Sequence, residues 1–112
     1  MIYLAVPYSH PDPKVREARF QAANRAAAIL IQKGHHVFSP ISHTHPIALC
    51  GDLPKGWEYW EEYDRIMLGA CDTLAILRLD EWRESTGVQA EIKIASETKM
   101  VIFYVDDKDV RV

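Results

Sequence analysis

The chain contains 112 residues, of which 48% are hydrophobic and 26% are charged, and its formal net charge is −3. This length and composition are typical of one soluble globular domain covering residues 1–112, because two cores of half that size would bury too little surface. The small negative charge argues against a nucleic-acid polymer as a partner. No apolar run approaches the roughly 20 residues that span a bilayer, which argues against a membrane.

Strand and helix signals alternate along the chain. Residues 2–6 form a short apolar run that ends at Pro7, as expected for a strand buried on both faces. Asp12 and Pro13 indicate a helix N-cap and a first-turn proline, and an apolar helical pattern continues from there to Gly34. Further strands are predicted at residues 36–39, 72–79 and 100–105, and further helices at residues 57–70 and 85–98.

This order predicts an α/β fold of the Rossmann-like (flavodoxin-like) type, in which a parallel sheet of four to five strands carries helices on both faces. In such sheets, ligands bind beyond the carboxyl ends of the strands. Only residues 41–56 form a long connection without clear periodicity, and we expect a lid or binding loop there.

Two acidic side chains fall on helix faces that should be buried. At about 100° of rotation per residue, Glu91 lies inside the apolar arc that contains Val88, Ile92 and Ala95. Asp64 lies within a stripe of large side chains on the preceding helix. Two acids on the inner faces of two helices indicate a site, although an arginine or a backbone amide could instead satisfy each of them.

The loops that follow the strands narrow the chemistry. Residues 7–11 contain no glycine, so the dinucleotide-binding fingerprint is absent and neither NAD nor FAD is expected. His43 and His45 have no third ligand at a usual spacing, so we expect turn-forming or substrate-contacting histidines and no metal. Ser85 precedes the helix of Glu91, where it could serve as an N-cap alone or help to form an anion site.

Five groups of residues follow one another over nearly the whole chain. They are Ile2-Tyr3-Leu4-Ala5, Pro7-Tyr8-Ser9, Gly34-His35-His36-Val37-Phe38-Ser39, Tyr63-Asp64 with Cys71-Asp72, and Ser85-x-Gly87-Val88-x-x-Glu91-Ile92-x-x-Ala95. Together they resemble the nucleoside 2-deoxyribosyltransferase superfamily, and within it the 2'-deoxynucleoside 5'-phosphate N-hydrolase branch. The likeness is closest to a little-characterised bacterial and phage group of the DUF1937 type, which is marked by the second and third of these segments.

The resemblance implies an enzyme that cleaves the N-glycosidic bond of a small nucleotide or nucleoside without a metal or organic cofactor. Glu91 matches the nucleophile that attacks the anomeric carbon, Asp64 the acid that assists the departing base, and Tyr3 the tyrosine that orients the nucleophile. This chemistry agrees with two buried acids, because one carboxylate can trap an oxocarbenium-like centre while the other protonates the leaving group. The residues expected to bind the substrate are Tyr8, Ser9, His43, Ser85 and Gly87.

The position six residues before the nucleophile distinguishes the branches. The transferase branch generally carries an aspartate there, whereas this chain has Ser85. A serine hydroxyl at a helix N-terminus suits a phosphate that a carboxylate would repel, so a 5'-monophosphate is the expected substrate. We expect Ser85, Ser9 and the helix-start amides to bind the phosphate, with an arginine such as Arg19 or Arg83 nearby. The alternatives are base exchange between deoxynucleosides and a catalytically silent nucleotide-binding protein on the same fold.

Aromatic content bears on assembly. Trp57, Trp60 and Trp82 supply more aromatic surface than a small sheet readily covers, and members of the superfamily share active sites between subunits. We therefore expect a homodimer or larger homo-oligomer, unless the tryptophans pack over residues 41–56. Two cysteines are too few for a disulfide scaffold and the first residues do not resemble a signal peptide, so the expected compartment is the reducing cytoplasm.

Overall fold

Four parallel strands form the sheet at the centre of the computed structural model, which describes residues 1–109. They are β1 (Ile2–Ala5), β2 (Val37–Phe38), β3 (Thr73–Arg78) and β4 (Val101–Asp106), in the spatial order β2-β1-β3-β4. Ile2 lies opposite both Val37 and Thr73, so β1, β2 and β3 begin level with one another. β2 is shorter than the predicted strand at residues 36–39, because only two of its residues pair with β1.

Helices connect the strands, and the predicted α/β fold class is confirmed. The helices are α1 (Pro13–Gln32), α2 (Pro40–Gly51), α3 (Trp57–Gly69) and α4 (Thr86–Glu97), with 3-10 turns at Trp82–Glu84 and Asp107–Asp109. None of the helices in the described part of the chain is long and apolar enough to cross a membrane.

The alternation of side chains along β1 divides the core between the two faces of the sheet. Leu4 points to one face and packs against the alanine-rich side of α1, where Ala23 and its neighbours allow a close approach. Tyr3 points to the opposite face and packs with Leu68 of α3 and Val88 of α4. The helices therefore cover both faces of the sheet, as predicted for a parallel arrangement.

Both helix caps that the sequence predicted are present. The Asp12 carboxylate accepts a hydrogen bond from the Lys14 backbone amide at 2.9 Å, and Pro13 begins α1. At the start of α4, the Ser85 hydroxyl oxygen accepts a hydrogen bond from the Val88 amide at 3.2 Å. These caps fix where α1 and α4 begin, and the second one places Glu91.

Residues 41–56 are not the long loop that the sequence suggested, because most of them belong to α2. Pro40 occupies the first turn, where a helix has no use for its N–H group, and Pro46 lies inside the helix. Pro40, Thr44 and Ala48 recur every fourth residue and are buried, so α2 has an inner face. Two prolines and two histidines interrupt the apolar pattern and hide this periodicity in the sequence.

Candidate active site

A cavity of about 450 Å³ lies beyond the carboxyl end of β1. Its walls come from the segment that leaves β1, from α2, from the start of α3 and from the start of α4. The volume falls in the range of roughly 300–1,000 Å³ that is common for small-molecule sites, and the place is where parallel α/β sheets bind ligands. The lining residues that matter most here are Tyr8, Ser9, His45, Lys55, Trp57, Asp64, Ser85, Gly87 and Glu91.

Glu91 lines this cavity although only 5% of its surface is exposed. It lies on α4, between one and two turns after the Ser85 cap, on the buried side that helical phase predicted. The hydroxyl of Tyr3 on β1 donates a hydrogen bond to its Oε2 atom. Burial raises the pKa of Glu91 to about 8, the Tyr3 hydrogen bond lowers it, and the nearby charge of Asp64 raises it again.

Tyr3 is fully buried behind Glu91. Burial, together with the charges of Glu91 and Asp64, raises the pKa of the phenol, so it stays protonated at neutral pH. Its ring packs 5.9 Å from the ring of Phe38, measured between centroids, and this contact helps to hold the hydroxyl in place. The structure thus joins Tyr3 to Glu91 as the resemblance implies, while the orienting role itself remains a prediction.

Asp64 lies half-buried on α3 and lines the same cavity as Glu91. Burial raises the pKa of Asp64 to about 6. Two interacting carboxyl groups with pKa values near 6 and 8 retain one proton between them at neutral pH. Such a pair can supply one acid and one base to a single reaction.

The structure brings most of the predicted substrate-binding residues together. Those that line the cavity are Tyr8, Ser9, Ser85 and Gly87. His43 does not join them, because it is exposed on α2 and its ring stacks near that of Tyr63, with 6.2 Å between centroids. The histidine that α2 presents to the cavity is His45, which the sequence pattern does not favour over His43 because prolines and histidines hide the helical periodicity of this segment.

Arg19 is not part of the cavity wall, in contrast to its expected place beside a phosphate. Its buried guanidinium donates hydrogen bonds to the carbonyl oxygens of Ser9 at 3.2 Å and Asp80 at 3.4 Å. It also pairs with the Glu81 carboxylate at 3.4 Å. Arg19 therefore ties the loop after β1 to the loop after β3.

The cation that does line the cavity is Lys55, in the short segment between α2 and α3. Its Nζ donates to the Leu53 carbonyl at 3.1 Å, and its own carbonyl accepts from the Ser9 hydroxyl at 2.8 Å. Arg83, the other arginine considered from the sequence, instead lies over the ring of Trp82 at 5.3 Å. Nothing in the local sequence pattern distinguishes Lys55, because only the fold brings it to the cavity.

Acidic groups outnumber this cation in the cavity wall. Within the described part of the chain, Glu58 and Glu84 line the cavity in addition to Glu91 and Asp64, against the single ammonium of Lys55. A bound phosphate would therefore depend on the Ser85 hydroxyl and on the N-terminal amides of α4 more than on formal positive charge.

No three His, Cys, Asp or Glu side chains in residues 1–109 are grouped so that they could hold a metal ion. Both ring nitrogens of His45 already contact protein groups: Nε2 lies 2.8 Å from the Glu17 carboxylate and Nδ1 lies 2.5 Å from the Tyr8 hydroxyl. The cavity therefore offers hydrogen-bonding and carboxyl groups as its chemistry.

The three tryptophans are half-buried, and the exposed apolar surface of α3 comes from other side chains. Trp60 donates from Nε1 to the Pro54 carbonyl at 2.7 Å, so it packs on the segment before α3. On the outer side of α3, Tyr59, Tyr63 and Ile66 recur at helical spacing and are exposed, with Ile66 66% exposed. This exposed apolar stripe is the surface on α3 that a second subunit could cover.

A family model described as a domain of unknown function (DUF1937) matches residues 1–106, and the chain therefore belongs to this family. The match runs from β1 through β4 and includes every residue that lines the cavity. No curated protein matches the chain. Because the family description assigns no activity, the function has to be inferred from the cavity.

Proposed function

We propose that this member of the DUF1937 family is an N-glycosidase that cleaves the base–sugar bond of a nucleoside or 2'-deoxynucleoside 5'-monophosphate. The observation that carries the proposal is the carboxyl pair of Glu91 and Asp64 in one cavity, with the Tyr3 phenol donating to Glu91. The resemblance to the nucleoside 2-deoxyribosyltransferase superfamily supports it further, since these three residues match the family's catalytic positions.

The first step would break the bond between the anomeric carbon and the base nitrogen. A carboxylate oxygen of Glu91 bonds to the anomeric carbon, the electron pair of the broken bond leaves with the base, and Asp64 gives the base a proton. Because Tyr3 donates to Oε2, Oε1 is the oxygen left without that bond and the one assigned to the attack.

The second step would release the sugar phosphate. Water attacks the anomeric carbon of the ester, the Asp64 carboxylate accepts the proton of that water, and the bond to Glu91 breaks. The sum of both steps consumes one water and yields a free base and a sugar 5-phosphate. Asp64 ends the cycle protonated and Glu91 ionised, as they were before the first step.

The two pKa values place the shared proton mainly on Glu91, whereas the first step needs it on Asp64. Positive charge that develops on the sugar beside Glu91 favours the ionised carboxylate. The proton therefore moves to Asp64 or to the base as the glycosidic bond weakens. The reactive form is the less populated of the two singly protonated forms, and it exists only at pH values where the pair holds one proton.

The phosphate would bind at the start of α4. The Ser85 hydroxyl uses its oxygen to accept from the Val88 amide, so its hydrogen is available to a phosphate oxygen. The first amides of a helix have no partners within the helix, and those beside Gly87 lie at the cavity. Lys55 adds one positive charge to the same cavity.

Base exchange between nucleosides is the second candidate, and the charges of the cavity favour it. Glu58 and Glu84 line the cavity and would repel a phosphate but not a free 5'-hydroxyl. The same Glu91 ester would then be attacked by an incoming base instead of water. The two reactions differ in what the ester reacts with, so an added acceptor base distinguishes them.

The test is to incubate the purified protein with a panel of nucleosides and 5'-monophosphates and to measure the free base by chromatography. Release in water from a monophosphate supports the proposal, and release only with an added base supports exchange. Saturable binding without release would contradict both and leave a silent binding protein. Glu91→Gln should lower turnover by several orders of magnitude, whereas Glu97→Gln, exposed on the same helix, should not change it.

A further inference from the structure

Glu17, His45 and Tyr8 form a row of hydrogen-bonded side chains that reaches the cavity and is separate from the pair of Glu91 and Asp64. His45 of α2 is only 4% exposed, and its ring stacks on Phe20 of α1 with 4.3 Å between centroids. Its Nε2 meets the Glu17 carboxylate at 2.8 Å and its Nδ1 meets the Tyr8 hydroxyl at 2.5 Å. Tyr8 and His45 both line the cavity, whereas the side chain of Glu17 is 54% exposed. The bond between Tyr8 and His45 therefore lies in the cavity wall.

The carboxylate at one end of this row fixes the direction of the bond from Nε2, and for a neutral ring the direction of the Tyr8 bond follows from it. The Glu17 carboxylate can only accept, so Nε2 of His45 carries the hydrogen and donates it. A neutral imidazole protonated at Nε2 presents a lone pair at Nδ1, and Tyr8 must then donate its hydrogen to that nitrogen. The Tyr8 oxygen is left with lone pairs only.

The surroundings of Tyr8 agree with this direction. Burial raises the pKa of Tyr8, the Arg16 guanidinium lowers it and the charge of Glu17 raises it. The phenol therefore keeps its hydrogen at neutral pH. Arg16 can take up one lone pair of the oxygen, which leaves another for a ligand.

We propose that Glu17 and His45 position Tyr8 as a hydrogen-bond acceptor, so that the cavity selects ligands that place an O–H or N–H donor against Tyr8. This inference rests on the proposed function, because the ligand is taken to be a nucleotide, whose sugar hydroxyls and exocyclic amino groups are such donors. An analogue without the donor would leave the acceptor unpaired in a partly buried wall, and sites built in this way discriminate strongly against such analogues. Tyr8 would be a specificity-determining residue, and His45 and Glu17 positioning residues.

The binding test uses pairs of probes that differ by one donor. The probes are 2'-deoxyadenosine 5'-monophosphate, its analogues that lack the 6-amino group or the 3'-hydroxyl, and adenosine 5'-monophosphate, which adds a 2'-hydroxyl. Calorimetry in the Glu91→Gln background measures binding without turnover. At least one pair should show a preference of about tenfold for the member with the donor, and Tyr8→Phe should reduce that ratio to about one. Tyr59→Phe, on the exposed side of α3, should leave the ratio unchanged.

A merely structural Tyr8 would give a different result. In that case Tyr8→Phe would weaken both members of each pair equally, or the preference would survive the substitution, and either outcome overturns the proposal. The nitrogen-15 shifts of the His45 imidazole provide a readout without ligand. They should show the neutral form protonated at Nε2 in the wild type and a mixture of forms in Glu17→Ala. A doubly protonated ring, or one protonated at Nδ1, would also overturn it.

The two proposals can fail separately. If the donor preference depends on Tyr8 but the wild-type protein releases base from neither these probes nor the wider panel, the glycosidase assignment is wrong and the role of Tyr8 stands. If base is released but no pair shows a preference that depends on Tyr8, the glycosidase assignment stands and the role of Tyr8 is wrong. If none of the four probes binds, the proposal for Tyr8 is wrong, and base release from the wider panel of nucleosides and 5'-monophosphates decides the glycosidase assignment separately.

Discussion

Replacing Glu91 by glutamine should stabilise the folded protein at alkaline pH, although the same change removes the proposed nucleophile. Folding raises the pKa of this carboxyl from an ordinary 4.5 to about 8, mainly through burial. Below the lower value the group is neutral in both states, and its contribution to stability is fully present. Between the two values the unfolded chain ionises first, so the free energy of unfolding falls as pH rises, and the loss is complete above about pH 8.

The size of this effect follows from the two pKa values. A shift from 4.5 to about 8, at 1.36 kcal/mol per unit, sets an upper value of about 5 kcal/mol for the stability that ionisation of Glu91 removes. Glutamine keeps an oxygen that can accept the Tyr3 hydrogen bond and never ionises. The free energy of unfolding of the variant should therefore exceed that of the wild type by a few kcal/mol at high pH and by little at low pH.

Urea unfolding followed by circular dichroism, at about pH 5, pH 7 and pH 9, would measure this difference. Titrating groups distant from Glu91 are present in both proteins and largely cancel in the comparison. Glu97→Gln, on the exposed side of α4, is the matched control and should follow the wild type at every pH. If the difference in the free energy of unfolding between Glu91→Gln and the wild type does not grow with pH, the reasoning is refuted, because burial would then not oppose ionisation of Glu91.

Three further outcomes are expected. The pH profile of kcat/KM for base release should be a bell with limbs near 6 and 8, because only the singly protonated pair of Asp64 and Glu91 reacts; a rate that stays flat across both limbs would argue against the pair. Ser85→Asp should retain the helix cap but weaken binding of a monophosphate by about 1–3 kcal/mol, measured by calorimetry, with nucleosides nearly unaffected and Ser96→Asp as control; equal weakening of both ligands would place the phosphate elsewhere. Sedimentation at micromolar concentration should show a dimer or larger assembly, and Ile66→Glu on the exposed stripe should shift it towards monomer; a monomeric wild type would end that expectation.

The sequence located Glu91 because its neighbours determine helical phase without help from the rest of the fold. Apolar residues on both sides define the buried arc of α4, and the Ser85 cap fixes where the helix starts. The strands can also be predicted from the sequence, since β1 and β3 are continuous apolar runs buried on both faces. Each of these features is encoded within a few residues.

The same reasoning cannot single out His45 and does not reach Lys55. The pattern of α2 is interrupted by Pro46 and by histidines, so the sequence does not assign its inner face and predicts the exposed His43, not the buried His45, as the substrate contact. His45 is buried because Phe20 and Glu17 of α1 pack against it, and these contacts join residues far apart in the chain. Lys55 reaches the cavity only through the path of the segment between two helices.

Arg19 links two loops at the edge of the cavity although it does not line the cavity itself. Its guanidinium, buried beneath the rim, holds the carbonyl oxygens of Ser9 and Asp80 and thereby joins the two strand-end loops before any ligand arrives. Because these loops are already joined, a ligand that binds there does not have to bear the entropic cost of ordering them. Such preorganisation strengthens binding without adding a contact to the ligand. Arg19, which does not line the cavity, would thus support the affinity for any ligand that binds there.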